Sequence, residues 1–465
     1  MKKRLKWIAI ACLLPITPLC HAQSVPQAKA FAIDEITSIL QSRVDRARTH
    51  LGIVVGVVDA SGTRVVAYGR PERGSRQRLD GDSIFEIGSL TKLLTDTLMV
   101  DMSDRGELAL TDPVAKYLPA TVKRHALNGK EITLLHLASH TSGLPREPDN
   151  ILQSDCIADD QAYSINRLYA FLNGFELQRG IGSRTEYSNL GLSLLGHALA
   201  LRAGMDYGEL LHRRITGPLG MSATGVSLAP GLEAHLTKGH SSEGAPMPSR
   251  INTWLPAAGG LHSSVNDLLK FLAANLDLSP TPLNASLMTM QQPIHNASYY
   301  LPCIGWNVDR SFDREIFWRT GSTLGYSSFL GFDKQTKRGV VILANSRNEV
   351  DDIGMHLLAN SDHPLRDFPP FTPRKAIPPR PADFDAYAGA YRIAPWLHLT
   401  IHREGDHLFA QVDEADAFEL LATTPAGFFA EGVDALFTFV KDAKGRVTQL
   451  VVNGRNGVMI LDKVP

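Results

Sequence analysis

The tetrapeptide Ser89-Leu90-Thr91-Lys92 sets a hydroxyl and an amine three residues apart. On a helix this spacing puts both side chains on one face, about one turn apart. A serine hydroxyl becomes a useful nucleophile when a neighbouring basic group takes its proton. The pair therefore predicts covalent acyl transfer. Taken alone, the same four residues also fit a serine N-cap followed by an exposed lysine. The surrounding sequence is needed to distinguish the two interpretations.

The segment after Ser89 has the pattern of a buried helix. Apolar residues recur at helical intervals, and Arg105-Gly106 supplies a stop signal. Ser89 then lies at the helix N-terminus, where unpaired N–H groups and the positive end of the dipole stabilise a developing oxyanion. The apolar positions are Leu90, Leu93, Leu94, Leu98 and Met102.

A second polar group, Tyr187-Ser188-Asn189, precedes an apolar helix predicted over 190–203 that ends at Gly204. A phenol at this point can project into the cleft that holds Ser89. The amide of Asn189 can bind a substrate carbonyl. Taken alone, a tyrosine and an asparagine that only cap a helix are the simpler interpretation.

A third element, Arg319-Thr320-Gly321-Ser322, opens a strand-rich stretch. Gly321 lets another backbone come close because it has no side chain. We expect the Ser322 N–H to be the second donor of an oxyanion hole whose first donor is the Ser89 N–H. By itself the segment fits an ordinary β-turn.

The elements that must position these residues are strands at both ends of a helical block. A helical lead-in at 31–48 precedes two strands, 53–59 and 63–68, which form a hairpin around Ala60-Ser61-Gly62. Residues 83–276 are mostly helical, and strands return at 329–332 and 340–343. This order predicts an α/β protein of the α+β type, an antiparallel sheet with helices packed on it.

The last part of the chain differs in composition. Seven prolines between residues 363 and 381 forbid regular helix or central strand and favour an extended linker. Short strand-like runs then alternate with turn signals, which predicts a small antiparallel barrel or sandwich. We therefore expect a catalytic domain at 23–362, a linker at 363–381 and a C-terminal β-barrel at 382–465. The predicted strands are 387–393, 397–403, 407–412, 418–422, 436–440, 447–452 and 458–461.

Charge and targeting features limit the partners. The 47 Lys and Arg nearly balance the 48 Asp and Glu, without a long run of one sign, which argues against nucleic acid or an anionic membrane. Small molecules or peptides are favoured. A basic start, an apolar stretch and Cys20-His21-Ala22 predict a signal peptide at 1–22 and a periplasmic or secreted enzyme. No later stretch is long and apolar enough to predict a membrane span.

Cysteine and histidine patterns predict little chemistry. Cys156 and Cys303 remain after signal removal, which fits either one long-range bridge or two buried thiols. His136 and His140 lie four apart on a predicted helix, a zinc-binding spacing, but Leu137 replaces the expected glutamate, so structural histidines are favoured. We expect neither a metal nor an organic cofactor.

The three motifs, in this order, resemble those of the serine β-lactamase and penicillin-binding-protein superfamily. The similarity is greatest to the branch of class C β-lactamases and D,D-carboxypeptidase/endopeptidases, with an added lipocalin-like C-terminal barrel. It covers residues 31–360. Further phrases agree with it: Phe85-Glu86-Ile87-Gly88, the run from Leu137 to Pro145, and the run from Ala257 to Ser263.

The resemblance implies a covalent acyl-enzyme on Ser89. Lys92 and Tyr187 would share the proton chemistry, and the residues that hold substrate would be Asn189, Arg319, Thr320 and Gly321. We interpret Tyr187 as the base and Lys92 as the cation that lowers its pKa. Because the two groups are strongly coupled, the assignment of the base depends on a choice of microstate.

The chain departs from the family pattern at Arg319, where lactamases and peptidases commonly have lysine, and related esterases often have an uncharged or aromatic residue or histidine. Arginine keeps a fixed charge and adds a planar fork that suits a carboxylate. This predicts a substrate with a free carboxylate, such as a D-alanyl peptide terminus or a β-lactam.

The sequence thus predicts an exported serine hydrolase, either a β-lactamase or a D,D-carboxypeptidase/endopeptidase. The alternatives are an esterase or D-aminopeptidase of the same fold, or a non-hydrolytic receptor for cell-wall peptides or β-lactams. Retention of Ser89, Lys92 and Tyr187 together argues against a receptor. No residue reveals the rate of acyl-enzyme hydrolysis, the role of the barrel or the oligomeric state.

Overall fold

The computed structural model describes residues 31–151, 163–249, 256–294, 303–312, 314–359, 361–395, 397–454 and 457–464. The predicted signal peptide and Cys156 lie outside the described residues. Cys303 is a buried free thiol.

Eleven α-helices lie in the described part of the chain. They are α1 (Ile33–Gln41), α2 (Thr91–Asp104), α3 (Leu134–Ala138), α4 (Ile165–Gly174), α5 (Asn189–Ala203), α6 (Tyr207–Leu211), α7 (Pro256–Gly259), α8 (Val265–Asn275), α9 (Asn284–Met290), α10 (Asp351–Leu358) and α11 (Phe384–Tyr387).

The strands of the same residues fall into two groups. Those before the proline-rich segment are β1 (Gly52–Asp59), β2 (Gly62–Gly69), β3 (Ile84–Glu86), β4 (Ala126–Leu127), β5 (Lys130–Glu131), β6 (His262–Ser264), β7 (Asn307–Asp309), β8 (Ile316–Ser322), β9 (Ser327–Asp333) and β10 (Arg338–Ala344). Those after it are β11 (Gly389–Ala394), β12 (Leu397–Glu404), β13 (His407–Val412), β14 (Phe418–Ala422), β15 (Gly427–Ala430), β16 (Val433–Lys441), β17 (Val447–Gly454) and β18 (Gly457–Asp462).

The main sheet joins strands from both ends of the part of the chain that precedes the proline-rich segment. Its order is β2-β1-β10-β9-β8-β7, and every neighbouring pair is antiparallel. The predicted hairpin is confirmed, because β1 and β2 pair from Gly52↔Gly69 to Asp59↔Gly62. Its turn is fixed by the Asp59 carboxylate, which accepts the Ser61 N–H at 2.9 Å, and by Gly62 at φ +115°. The predicted fold class is confirmed.

Both faces of this sheet are covered by helices. Along β1, Val54 and Val58 pack into the core shared with α2, α5 and α8. The intervening residues of β1, Ile53 and Val55 among them, pack against α1 and α10 on the other face. Because successive strand residues point to opposite faces, a central strand covered on both sides is apolar throughout, as β1 is. The helical block with α2 at its centre carries the candidate site.

The C-terminal strands form a nearly closed antiparallel barrel with strand order β11 to β18. A bridge between Tyr391 and Lys463 and a 2.8 Å hydrogen bond from Val464 N to Ala390 O join its two end strands. The barrel prediction is confirmed with two corrections. Gly427–Ala430 is an eighth strand, and Tyr387 ends α11 instead of starting the first strand.

The barrel contacts the part of the chain before the proline-rich segment, near the candidate site. Ala245, Met247 and Leu324 pack against the apolar core of the barrel. Asp434 N donates to Glu243 O at 2.7 Å. Leu324 lies in the turn between β8 and β9, two residues after Ser322, so the barrel supports the turn that follows the third motif.

Residues 363–380 contain neither helix nor strand, as the proline content predicts. Phe371 N donates to Arg46 O at 2.9 Å and Ile377 N to Ala422 O at 2.8 Å, so the segment contacts both parts of the chain. Among the described residues, no helix combines the length and the apolar character needed to cross a bilayer.

Candidate active site

Ser89 lies in a tight turn that connects β3 to α2. Gly88, Ser89 and Leu90 form one turn of 3₁₀-helix, and α2 begins at Thr91. The prediction that Ser89 precedes a buried helix is confirmed, because every residue from Thr91 to Met102 is buried. The helix ends at Asp104, before the predicted stop at Arg105-Gly106.

The end of β8 approaches this turn so closely that both sides need glycine. A Cβ placed on Gly321 would lie 2.2 Å from Ile87 O and 3.0 Å from Ser89 N. A Cβ on Gly88 would lie 2.7 Å from Ser322 N. The predicted close backbone approach at Gly321 is therefore present. It brings the backbone of Ser322 close to the turn that holds Ser89, and both residues line the cleft. An oxyanion hole made from their two N–H groups stays a prediction.

We expect Gly321→Ala to lower kcat/KM for acylation by about 100-fold, the usual effect of losing one oxyanion donor. The added methyl must push β8 away from the Ser89 turn, because backbone atoms cannot yield as a flexible side chain can. The measurement is the rate of acyl-enzyme formation, with circular dichroism to show retention of the fold. Gly174→Ala is the matched control, since a Cβ there would meet nothing within 4 Å. A normal rate in Gly321→Ala would contradict the role of this contact.

Lys92 is fully buried and makes three hydrogen bonds. Its Nζ donates to Ser89 Oγ at 3.2 Å, to Asn189 Oδ1 at 2.8 Å and to Ala258 O at 2.6 Å. An ammonium group has three donors and no acceptor, so these partners suit the charged form. Burial lowers the pKa of Lys92 to about 8, with the Arg319 cation adding to the effect and Tyr187 opposing it.

Tyr187 lies just before α5, whose N-cap is Ser188 and whose C-cap is Gly204. Its hydroxyl is hydrogen-bonded to Ser89 Oγ, and Lys92 Nζ lies 4.7 Å from its ring centroid. Burial raises the pKa of Tyr187, but the Lys92 and Arg319 cations outweigh burial and bring it to about 8. Ser89, Lys92 and Tyr187 thus meet at one point although two of them are 98 residues apart.

Asn189 links Lys92 to a carboxylate that the sequence did not single out. While its Oδ1 accepts from Lys92, its Nδ2 donates to Glu147 Oε1 at 2.5 Å. Burial raises the pKa of Glu147, although Asn189, Arg146 and Lys92 oppose the rise. One of the two amide hydrogens of Asn189 is therefore already hydrogen-bonded to Glu147.

Arg319 is buried and points partly inward. Its Nε donates to Ser89 O at 3.2 Å, and its Nη1 donates to Gly305 O. The guanidinium is thus hydrogen-bonded to the turn Gly88–Leu90 and adds a positive charge near Lys92 and Tyr187. The predicted contact with a substrate carboxylate stays a prediction.

The cleft at Ser89 has a volume of about 690 Å³ and is open to solvent. The predicted residues Ser89, Tyr187, Arg319, Thr320, Gly321 and Ser322 all line it. The cleft also contains His140, Arg146 and Arg347. Both His140 and Ala258 lie in sequence phrases that resemble the family, but the sequence predicts only a structural role for His140 and none for Ala258. Arg347 carries no sequence signal, because a lone arginine in a loop is common.

His140 lies outside α3, so the expectation that it shares a helix with His136 is wrong. It follows the helix with φ +58°, and its ring centroid lies 4.6 Å from that of Tyr187. Ser188 N donates to its Nδ1 at 3.1 Å, so the neutral ring carries its proton on Nε2. Burial holds the pKa of His140 well below its usual range, with Arg319 and Lys92 adding to the effect. The neutral ring therefore packs beside Tyr187 without adding charge.

The arrangement of side chains around Ser89 can support acyl transfer. The Ser89 hydroxyl contacts both Tyr187 and Lys92, two groups that can take and return its proton. In the described residues no group of three or more His, Cys, Asp or Glu side chains is placed to hold a metal ion.

Comparison with known proteins agrees with this geometry. The family model described as beta-lactamase matches residues 38–361, and one described as a domain of unknown function (DUF3471) matches residues 373–458. The D-alanyl-D-alanine-carboxypeptidase/endopeptidase AmpH of Escherichia coli K12 is 30% identical over 325 residues, 67% of this chain and 80% of that protein. A beta-lactamase of the same strain is 25% identical over 373 residues, 72% of this chain and 93% of that protein.

Solved structures show the same similarity. A beta-lactamase/D-alanine carboxypeptidase from Yersinia pestis, complexed with citrate, has a TM-score of 0.61 at 26% identity, over 71% of this chain and 98% of that chain. A class C beta lactamase from Rhodobacter sphaeroides has a TM-score of 0.60 at 25% identity, over 70% of this chain and 97% of that one.

Proposed function

The chain belongs to the β-lactamase family and is a serine hydrolase of that type, and from this premise we propose that it cleaves the D-alanyl amide bond of cell-wall peptides as a carboxypeptidase/endopeptidase and is acylated by β-lactams. The observation that carries the proposal is the contact of Ser89 Oγ with both the Tyr187 hydroxyl and Lys92 Nζ. A peptide is the proposed main substrate because the chain is 30% identical to the named peptidase and 25% identical to the beta-lactamase of the same bacterium.

The proposed reaction begins with proton transfer from Ser89 Oγ to the Tyr187 phenolate while Lys92 stays an ammonium. Ser89 then bonds to the substrate carbonyl carbon, and the N–H groups of Ser89 and Ser322 stabilise the oxyanion. The tetrahedral intermediate collapses as Tyr187 returns the proton to the leaving nitrogen. Water repeats the sequence on the ester to release the product. Among microstates of a coupled pair, this one agrees with the three acceptors around Lys92.

The proposal includes export and domain organisation. The basic and apolar pattern of residues 1–22 supports a cleaved signal and a periplasmic or secreted enzyme. The division into a catalytic domain at 23–362, a linker at 363–381 and a barrel at 382–465 is part of the same proposal.

A fluorescent penicillin tests the proposed function. We expect a label on Ser89 that persists for many minutes, as in a peptidase whose acyl-enzyme hydrolyses slowly. Rapid loss of the label with turnover of the drug would favour β-lactamase activity. Failure to react with the penicillin or with any D-alanyl peptide would contradict the proposal and favour an esterase or a D-aminopeptidase.

We also propose that Arg319 makes the enzyme prefer substrates with a free carboxylate. Its Nη2 has no hydrogen-bond partner among the described residues, and the side chain lines the cleft. A hydrogen bond between two charged groups contributes about 1.5–3 kcal/mol, so Arg319→Gln should weaken kcat/KM for a carboxylated peptide by about 10- to 100-fold.

The control for Arg319→Gln is the same peptide with its terminal carboxyl amidated. We expect the amide to be a poor substrate for both proteins, with a much smaller ratio between them. Both rates are measured on the pH plateau, because Arg319 also affects the charge of Lys92 and Tyr187. An equal loss for the two substrates would contradict carboxylate recognition.

A further inference from the structure

Asp96 is a buried carboxylate in the helix that carries Lys92, four residues after it. The residue is 1% exposed, and neither carboxylate oxygen has a hydrogen-bond partner among the described residues. Side chains four apart on a helix share a face, so Asp96 lies one turn below Lys92. A buried carboxylate without partners is costly. The proposed acyl transfer uses no such group.

Asp96 and Arg319 both lie close to Gly305. A Cβ on Gly305 would lie 2.9 Å from Asp96 Oδ2, while Gly305 O accepts a hydrogen bond from Arg319 Nη1. The carboxylate and the guanidinium thus approach the same residue, which lacks a side chain, and Arg319 acts electrostatically on Asp96. Ionised groups close together in a protein interior interact strongly, because little water screens them.

The charges near Ser89 require a counterion. Lys92 is fully buried and Arg319 is 8% exposed, so two cations lie close together in a poorly solvated place. Two buried cations of like charge destabilise each other unless an anion lies nearby. Glu147 is linked to Lys92 through Asn189, the first residue of α5. Asp96 is the carboxylate on which both Arg319 and Lys92 act.

We infer that Asp96 is a positioning residue that acts through Arg319 and Lys92: its negative charge offsets the two buried cations and sets how readily the Lys92–Tyr187 pair gives up the proton needed for attack by Ser89. The inference rests on the proposed function for its catalytic meaning. Its electrostatic part concerns the free protein and stands apart from any substrate.

The surroundings of Asp96 support a charge role. Burial raises the pKa of Asp96 to about 7, against the lowering effects of Arg319 and then Lys92. The titratable groups that face it are Lys92 on α2, Arg319 on β8 and Tyr207 on α6, whose pKa burial raises and Asp96 raises further. Leu93 and Met290 fill the remaining space around Gly305. Asp96 therefore changes charge near neutrality, just below the pKa values of about 8 of Lys92 and Tyr187.

The direction of the effect does not depend on which residue is the base. A nearby anion favours the proton-bound form of an acid. Loss of the Asp96 charge must therefore lower the pH at which the pair loses one proton, whether the proton leaves Lys92 or Tyr187. Loss of the Arg319 cation must raise it.

The test is a titration of the full-length protein labelled with ¹³C at the tyrosine ζ carbon, without substrate. The Tyr187 signal is assigned by its absence in Tyr187→Phe. We expect Asp96→Asn to lower the midpoint of this titration by about one pH unit, and Arg319→Gln to raise it. The acidic limb of the pH profile for acylation should shift in the same directions.

Asp101→Asn is the matched control. Asp101 is buried on the same helix but pairs with Arg105 and Arg214. Its variant should lose thermal stability without moving the midpoint. A folded Asp96→Asn protein with the wild-type midpoint would overturn the inference. If the wild-type protein acylated no probe but the midpoint shifted as expected, the proposed function would fail while the electrostatic role of Asp96 stood.

If Asp96→Asn does not fold, the inference is tested by titrating the wild-type protein labelled with ¹³C at the aspartate carboxyl carbons. In the wild-type protein one carboxyl signal should titrate near pH 7. Arg319→Gln should move that midpoint upward, because the cation that favours the ionised form is gone. An aspartate signal in the neutral range that did not respond to Arg319→Gln, or the absence of such a signal, would overturn the inference.

Discussion

Ser89→Ala is expected to abolish the covalent label and to lower multiple-turnover hydrolysis by at least about 10,000-fold. In a serine hydrolase the loss of the nucleophile removes the whole covalent pathway, and the remaining rate comes from binding and the oxyanion hole alone. Here the oxyanion donor from residue 89 is a backbone N–H, which alanine keeps. The measurement is mass spectrometry of the protein after incubation with penicillin, beside steady-state kinetics on a D-alanyl peptide.

The matched control for Ser89→Ala is Ser183→Ala. Ser183 is an exposed serine in the loop before Tyr187, and its Oγ donates to Gly180 O at 2.6 Å. We expect this variant to keep the wild-type label and rate. A label that persisted in Ser89→Ala would place the nucleophile elsewhere and contradict the site. Binding without turnover in the wild-type protein would favour a receptor.

The local parts of the site could be predicted from the sequence. Ser89 and Lys92 are three residues apart, so the geometry of one helix turn brings them together. Ser188 and Gly204 mark the ends of α5 through capping chemistry that acts within a few residues. Gly321 indicated a close backbone approach because glycine leaves room for one.

The contacts between distant segments could not be predicted in the same way. Ala258 O accepts from Lys92 across 166 residues, and a backbone carbonyl is present at every position of the chain, so it gives no signal. The charge of Arg319 was evident, but its direction toward Ser89 O and Gly305 O depends on how β8 packs on the nucleophile turn. Asp96 carries no sequence signal, because α2 also contains other polar residues such as Thr95, Thr97 and Asp101.

In the barrel the missed strand has a similar cause. All four residues of β15, Gly427–Ala430, are buried, so the strand lacks the alternation of apolar and polar residues that indicates a half-buried strand. The detected strands β12 and β16 alternate buried and partly exposed residues along most of their length. The absence of alternation therefore explains why β15 was missed in the barrel.

Tyr187→Phe is expected to lower kcat/KM for acylation by about 100- to 10,000-fold, the contribution of a general base. Phenylalanine keeps the ring that packs against His140 and lies over Lys92, and it removes only the hydroxyl bonded to Ser89 Oγ. Stability should change little. The measurement is the rate of acylation across the pH range, since it separates a lost base from a disturbed cleft.

The pH dependence of the acylation rate should also differ between the wild-type protein and Tyr187→Phe. In the wild-type protein the rate should fall as pH drops below about 8, as the Lys92–Tyr187 pair gains a proton. In Tyr187→Phe the residual rate depends on neutral Lys92. The phenol group that raises the pKa of Lys92 is then gone, so the acidic limb should move to lower pH. An unchanged rate would exclude Tyr187 as the base.

Tyr207→Phe is a control that distinguishes the loss of a base from the loss of a buried hydroxyl. Tyr207 is buried, and its hydroxyl is hydrogen-bonded to Thr95 Oγ1 at 2.7 Å. Tyr207→Phe should cost about 1 kcal/mol of stability for one lost hydrogen bond and leave the acylation rate within a few-fold of wild type. Lys92 already donates to three acceptors, so it can take a proton from Ser89 only after losing one of its own. If Tyr187→Phe retained most of the rate, Lys92 would have to release that proton first, and the base would be the amine.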